Sequence, residues 1–307
     1  MLTSAKGDVA DVLSARLGGT WMVEPHGGSG FCSTWLAKAA GRSATHDILF
    51  VKSLSTTQGA VLEAEADGLR ALATAGCIRS PVVAGCWKSA SLDLVVLAME
   101  WLALASNPQR NFGEKFGRQL AALHVLAPAA GDGRYGWRRD NWLGGTPQRN
   151  RWSEDGGLQG WLTFFAEERL GAMAERLSAA GEEPALIDAV RRVVDVLPGL
   201  FPDGHVPRPS LIHGDLWSGN WGSLSDGSPV IYDPAVSISD AEAELAMMEL
   251  FGTPPSGFWP AYREVAPLHD CYVHRRKLYQ LYHLLNHALL FGGSYARQAM
   301  SLIDALI

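Results

Sequence analysis

The stretch His213-Gly214-Asp215-Leu216-Trp217-Ser218-Gly219-Asn220, followed by Ile231-Tyr232-Asp233-Pro234, decides how this chain is read. Asp215 and Asn220 lie five positions apart in a polar loop. Short apolar segments flank it, Ser210 to His213 and Pro229 to Tyr232, which are expected to pair as a small hairpin around the loop. A second carboxylate, Asp233, comes 18 residues after the first, at the end of a strand. Phosphoryl transfer needs such a set. One carboxylate accepts the proton of the attacking hydroxyl, and an amide with a second carboxylate holds the Mg2+ that bridges nucleotide phosphates. Asp215 is therefore the candidate base, and Asn220 and Asp233 the candidate metal ligands. Any one of them alone would be an ordinary polar residue in a turn. The ensemble, in order and spacing, is not.

Outward from this loop, the Asp-x4-Asn spacing matches that of a kinase catalytic loop, with Asp-Pro where protein kinases have Asp-Phe-Gly. Lys52 lies inside an apolar strand, Asp47 to Leu54, and a lysine is rarely buried without a partner. In an ATP site it would contact the α- and β-phosphates and pair with a helix glutamate. Glu65 on the following helix, Gln58 to Ala75, is the expected partner, and Glu63 the second choice. Gly28, Ser29 and Gly30, in a turn between two strands, can bring backbone N–H groups to phosphates. The turn is neither a Walker A loop nor a Rossmann fingerprint. Met99, Glu100 and Leu102 end the last strand of this region, where a hinge would pair its backbone with adenine.

The 307 residues carry 26 basic and 32 acidic side chains, a net charge of −6, which argues against a general nucleic-acid partner. A hydrophobic content of 47% and a mean hydropathy of +0.01 fit a folded chain with a sizeable core. Neither a membrane span nor a signal peptide is expected, and the expected location is the cytoplasm. The first hundred residues read mainly as strands with one helix, the remainder mostly as helices. The expected helices are Phe112 to Leu123, Gly160 to Leu177, Pro184 to Leu197, Asp240 to Phe251, Phe258 to Val265 and His269 to the end. The fold class is therefore α+β. A strand-rich lobe, residues 1–102, would bind nucleotide, and a helical lobe, residues 103–307, would carry catalysis and substrate, with the ligand in the cleft between them.

Other residues have weaker claims. His283 and His287 share a helix face, but two histidines beside a cleft suit hydrogen bonding better than a metal. Trp217, inside the polar loop, could form a platform for a sugar or a cationic amine. The four cysteines suggest neither a disulfide framework nor a zinc site. Cys32 adjoins the glycine turn, where backbone N–H groups could lower its pKa and make it redox-sensitive, and an oxidised Cys32-linked dimer is one consequence; a monomer is otherwise expected.

With these residues in place, the chain resembles the fructosamine (ketosamine) kinase family, within the aminoglycoside-phosphotransferase-like kinases of protein-kinase-like bilobal fold. The resemblance covers nearly the whole length. It rests on HGDLWSGN at residues 213–220, YGWRRDNWLGGTPQRN at 135–150, WLTFFAEERL at 161–170, EAELAMMELFG at 242–252 and KLYQLYHLLNHALLFGGSY at 277–295. It implies an ATP- and Mg2+-dependent kinase that phosphorylates the sugar 3-hydroxyl of ketosamines, on free amines or on glycated lysines of proteins, in deglycation repair. By matching motif, Asp215 is the base, Asn220 and Asp233 bind Mg2+, and Lys52 and Glu65 position the nucleotide. Trp217, Asn141 and His283 would face the substrate. Phe31 stands where the family often has a polar run, and Cys32 where part of the family carries a cysteine. Arg138, Arg139 and Trp142-Leu143 also depart from the pattern, and these differences are expected to bear on substrate choice. Two other readings stand beside this one. A kinase of the same fold could act on an aminoglycoside, choline or a simple sugar. A non-catalytic nucleotide-binding protein is opposed by the intact set of Lys52, Asp215, Asn220 and Asp233.

Overall fold

The computed structural model describes residues 2–27, 31–41, 48–126 and 132–307. Helix α1 (Leu2–Leu17) precedes strands β1 (Trp21–Pro25), β2 (Ser33–Ala39) and β3 (Ile48–Leu54). Helix α2 (Ala60–Ala75) and strands β4 (Val83–Lys88) and β5 (Val95–Glu100) follow. The five strands form one antiparallel sheet in the order β1-β2-β3-β5-β4. Alternation along β3 sets its two faces. Val51 packs with Trp35 and Ala98 under Val9, Val12 and Leu13 of α1. On the other face, Leu62, Ala66 and Leu69 of α2 cover Val95, Leu97 and Met99. Lys52 shares that second face, so it emerges beneath α2. Helix α2 ends at Gly76, whose φ of +66° gives the left-handed cap expected of glycine. Helix α1 is an addition to the expected elements.

The rest of the chain is helical around short strands. Helix α3 (Phe112–Leu126) leads to a hairpin of β6 (Asn141–Leu143) and β7 (Thr146–Gln148). The expected helix of residues 160–177 is a longer continuous rod: α4 (Gly157–Phe164), a π-helical stretch (Phe165–Gly171) and α5 (Ala172–Ala179). Helix α6 (Pro184–Val196) starts on a proline, which suits the first turn. Strands β8 (Pro209–Ile212), β9 (Trp221–Ser223), β10 (Pro229–Ile231) and β11 (Ser237–Asp240) follow. The hairpin expected between the segments at 210–213 and 229–232 does not form. β8 pairs with β11, and β10 pairs with β9. The loop is thus held by two ribbons rather than one.

Helices α7 (Ala241–Met248), α8 (Phe258–Val265), α9 (Tyr272–Phe291) and α10 (Ser294–Asp304) complete the chain. Asp240 caps α7 by accepting from the Glu242 backbone N–H at 3.0 Å. One helix was expected from His269 to the end, but Gly292 and Gly293, at φ +61° and +63°, divide it in two. The helical core gathers Trp161, Phe164, Phe165, Leu170, Leu278, Tyr279, Leu281 and Leu285. A second cluster centres on Phe116, Leu120, Leu216, Ile231, Leu245 and Phe258 beneath the polar loop. Among the described residues no helix is long and apolar enough to cross a membrane.

Candidate functional site

The loop between β8 and β9 is fixed by hydrogen bonds to backbone on both sides. His213 Nε2 lies 2.8 Å from the Tyr232 carbonyl, and a carbonyl can only accept, so Nε2 carries the proton. Nδ1 is then free to accept from the Asp215 backbone N–H at 3.3 Å. Burial lowers the His213 pKa and keeps the ring in this neutral form. Gly214 adopts φ +85°, and a side chain there would strike the Ala235 carbonyl oxygen. Its N–H donates to Glu244 Oε1 at 2.8 Å. Glu244 Oε2 lies 2.8 Å from His124 Nε2, and His124 Nδ1 lies 2.8 Å from the Tyr262 hydroxyl. All three side chains are buried. A chain of polar groups from α7, α3 and α8 therefore anchors the residue before Asp215.

Asn220 closes the loop. Its Nδ2 donates to the Asp215 carbonyl at 2.7 Å, with Asp215 Oδ2 3.3 Å away. The Tyr232 N–H donates to the Asn220 carbonyl at 3.0 Å, tying the loop to the strand that delivers Asp233. Burial first, then the negative charges of Asp233 and Glu244, push the Asp215 carboxyl well above its ordinary value, while Asn220 opposes them. Asp233 stands at φ +59°, a left-handed conformation that few non-glycine residues adopt.

Lys52 reaches the same place from the sheet. Its Nζ lies 2.8 Å from Asp233 Oδ1 and 2.8 Å from Glu65 Oε1. Lys52 is only 6% exposed. Burial alone would pull its ammonium down, but Asp233 and Glu65 outweigh burial and hold it above its ordinary value. The Asp233 side chain, 43% exposed, keeps a face toward the cleft. The choice of Glu65 over Glu63 follows helix geometry. Glu63 points away from Lys52 and meets Arg139 of the helical lobe at 3.4 Å. Asp67, one turn on, accepts from the Trp137 indole at 2.8 Å and pairs with Arg138. Arg138 and Arg139 were expected to influence substrate choice. Both clamp α2, the helix bearing Glu65, to the helical lobe.

Two cavities adjoin at Asp233. The first, about 220 Å3, is lined by Lys52, Glu65, Asp215, Asn220, Asp233 and Trp217, with Phe31, Asn141 and Trp142 among its other walls. The second, about 490 Å3, runs along the connection between lobes and is lined by His26, Phe50, Met99, Glu100, Trp101 and Leu102. Its apolar and aromatic walls suit a flat aromatic base. The Glu100 side chain turns aside to Arg79, 2.5 Å away, which leaves only its main chain for that purpose. Gly28, Ser29 and Gly30 lie outside the described residues. Cys32 is partly buried at the start of β2 and forms no disulfide.

The residues expected at the substrate divide into three groups. Trp217 lines the first cavity and is 41% exposed, its ring lying over Gly219, where any larger residue would collide with it. Asn141 also lines the cavity, yet its amide is engaged as a brace: Nδ2 donates to the Val236 carbonyl and Oδ1 accepts from Gln148 Nε2, both at 2.8 Å. His283 does not reach this cavity. It lines a separate space of about 20 Å3 behind the loop, and burial lowers its pKa to about 3, as expected of a neutral core histidine. Phe31 and Trp142, whose departure from the family pattern was expected to bear on substrate choice, are among the walls of the first cavity. Phe31 packs on the Gly144-Gly145 turn across the cleft, and Trp142 lies beside it. Glu244 and His124 were missed. A glutamate on the buried face of a helix, inside EAELAMMELFG, was the available signal.

The family model described as fructosamine kinase matches residues 32–307. A probable ketoamine kinase of Synechocystis sp. is 40% identical over 257 residues, 83% of this chain and 81% of that protein. A chloroplastic protein-ribulosamine 3-kinase of Oryza sativa subsp. indica is 38% identical over 257 residues, 83% of this chain and 71% of that one. The crystal structure of a provisionally named fructosamine-3-kinase from Thermobifida fusca superposes with a TM-score of 0.80 at 33% identity, covering 97% of this chain and 98% of the other. An aminoglycoside phosphotransferase solved with ADP and hygromycin B reaches a TM-score of 0.63 at 13% identity, over 97% of each chain, a likeness of fold alone.

Proposed function

The chain belongs to the fructosamine kinase family, and from that premise we propose how its own residues carry phosphate from ATP to the 3-hydroxyl of a ketosamine sugar. It is a kinase of bilobal, protein-kinase-like fold, it uses ATP, and its substrate class is the ketosamines. The carrying observation is the convergence of Lys52, Glu65, Asp215, Asn220 and Asp233 on one cleft between the sheet and the helices. The division at residue 102 into a nucleotide lobe and a catalytic lobe is part of this reading.

Adenine lies in the cavity walled by Met99, Trp101 and Leu102, and the phosphates extend past Asp233 toward Asp215. Lys52, held charged between two carboxylates, offers its ammonium to the phosphate oxygens. Asp215 orients the sugar hydroxyl and takes its proton. Trp217 provides the flat wall against which the sugar lies. Mg2+ fits the donor set. Asn220 commits Nδ2 to Asp215, which leaves Oδ1 as a neutral oxygen donor, and Asp233 adds a carboxylate. Once bound, Mg2+ neutralises charge on the transferring phosphate and the leaving group. The ketosamine is carried on a small amine or on a glycated lysine of a protein, and the enzyme works in the cytoplasm.

A coupled ADP-release assay with ATP and Mg2+ tests this. A ribulosamine and a fructosamine are compared with choline and an aminoglycoside. Turnover confined to ketosamines and lost in Asp215→Asn supports the reading, whereas turnover confined to choline or the aminoglycoside overturns it. The alternative acceptors have weaker support, since one aminoglycoside phosphotransferase and two choline-kinase-type structures share 14%, 15% and 16% identity with this chain, a likeness of fold alone.

A further inference from the structure

The ketosamine reading assigns the sugar half of the substrate and leaves the amine half without a place. That half must leave the first cavity on the side away from Asp233, because at Asp233 the second cavity adjoins and the nucleotide phosphates enter. On the solvent side, the end of α9 sits between two walls of the cavity. The Leu290 side chain packs about the Gly144-Gly145 turn, which it shares with Phe31. Gly252, at the end of the segment after α7, lies beside Ser218 of the catalytic loop. Between these two points stand four rings. Phe251 and His287 have centroids 4.6 Å apart, and His287 lies 5.1 Å from Tyr295 and 5.6 Å from Phe291.

This cluster has the properties of a binding surface more than of a core. Phe291 is 60% exposed, and Phe31 and Trp217, at the adjoining cavity, are 44% and 41% exposed. Large apolar side chains gathered at the mouth of a polar cavity mark a ligand surface. His287 does not interrupt it. Its Nδ1–H donates to the His283 carbonyl at 2.8 Å, and burial lowers its pKa, so the ring is neutral and presents an aromatic face.

We infer that Phe251, His287, Phe291 and Tyr295 form a subsite for the amine half of the ketosamine, selective for amines that carry an apolar or aromatic group. The inference rests on the ketosamine reading and adds the specificity of that same site. A protonated amine remains near the cavity, and the group beyond it lies on the rings and sheds water.

The test uses two ketosamines of one sugar, made from ethylamine and from 2-phenylethylamine, with the whole enzyme. Covering part of a phenyl ring favours the second compound in kcat/KM by about tenfold, mainly through KM. In the double variant Phe291→Ser, Tyr295→Ser that preference falls to near unity, while kcat/KM for the ethylamine compound stays within about twofold of the parent enzyme. The ethylamine compound thus reports folding and chemistry independently. Equal use of both compounds by the parent enzyme overturns the subsite, and so does a preference that survives in the variant. Absence of turnover with either compound overturns the ketosamine reading, and the subsite with it.

Discussion

Asp215 and its supports divide the work of one carboxylate among several residues. Asp215→Asn keeps the shape and removes the proton acceptor. Turnover is expected to fall roughly 10²–10⁴-fold, with ATP affinity retained in a nucleotide titration. Glu244 acts at one remove, through the Gly214 N–H. Glu244→Ala leaves that N–H and His124 Nε2 without a partner, each costing about 1–3 kcal/mol, while His124 Nδ1 keeps the Tyr262 hydroxyl. The expected result is lower kcat with little change in nucleotide affinity, and Glu244→Gln, which keeps an acceptor for Gly214, restores most of it. Equal loss in both variants would point to charge instead of anchoring. The sequence made Asp215, Asn220 and Asp233 legible because metal-phosphate chemistry demands a local spacing. It concealed Glu244, His124 and Tyr262 because His124 lies more than a hundred residues from the other two, on a third helix, and no local pattern records their meeting.

At the scale of elements, strand β3 and helix α2 were readable from their apolar periods, since each presents one wide face to a partner. Helix α1 was not. Its buried stripe is short, with Val9, Val12 and Leu13 set among Asp8, Asp11 and small residues. The pairing of β8 with β11 was also hidden, because strands of three or four residues carry too little pattern to choose a partner. The join of β11 to α7 rests on a buried ionic group, His205 with Asp240 at 2.9 Å. Burial would depress the His205 pKa, but the Asp240 hydrogen bond and the charges of Asp240 and Glu242 outweigh it and raise the value above the ordinary 6.5. A raised pKa means that the folded state favours the protonated ring. The stabilisation is full below the unfolded value and is lost as pH rises through the folded one. The melting-temperature gap between the parent enzyme and His205→Gln is therefore expected to be widest at about pH 5.5 and to narrow toward about pH 9. A gap that widens with pH would refute the assignment.

Across the whole molecule, the two lobes are tied on one side of the cleft by Trp137, Arg138 and Arg139 on α2, and on the other by Phe31 on the Gly144-Gly145 turn. The arginine pairs are exposed, so each is worth about 0.2–1 kcal/mol. Asp67→Ala, which also leaves the buried Trp137 indole N–H without its acceptor at a cost of about 1–3 kcal/mol, is expected to lower the melting temperature by a few degrees and to raise the KM for ATP by about three- to tenfold, because Glu65 rides on the loosened helix. An unchanged KM would mean that the core contacts of α2 hold it unaided. Between the lobes, Asp233 takes its left-handed turn at φ +59°. That turn has a genetic consequence. Both aspartate codons lie one transition from asparagine and one from glycine, the residues that occupy this backbone region most easily. The simplest point mutations at this codon therefore spare the fold while removing the carboxylate. Inherited loss of activity here would leave full-length protein at normal abundance, seen by an antibody and silent in an assay.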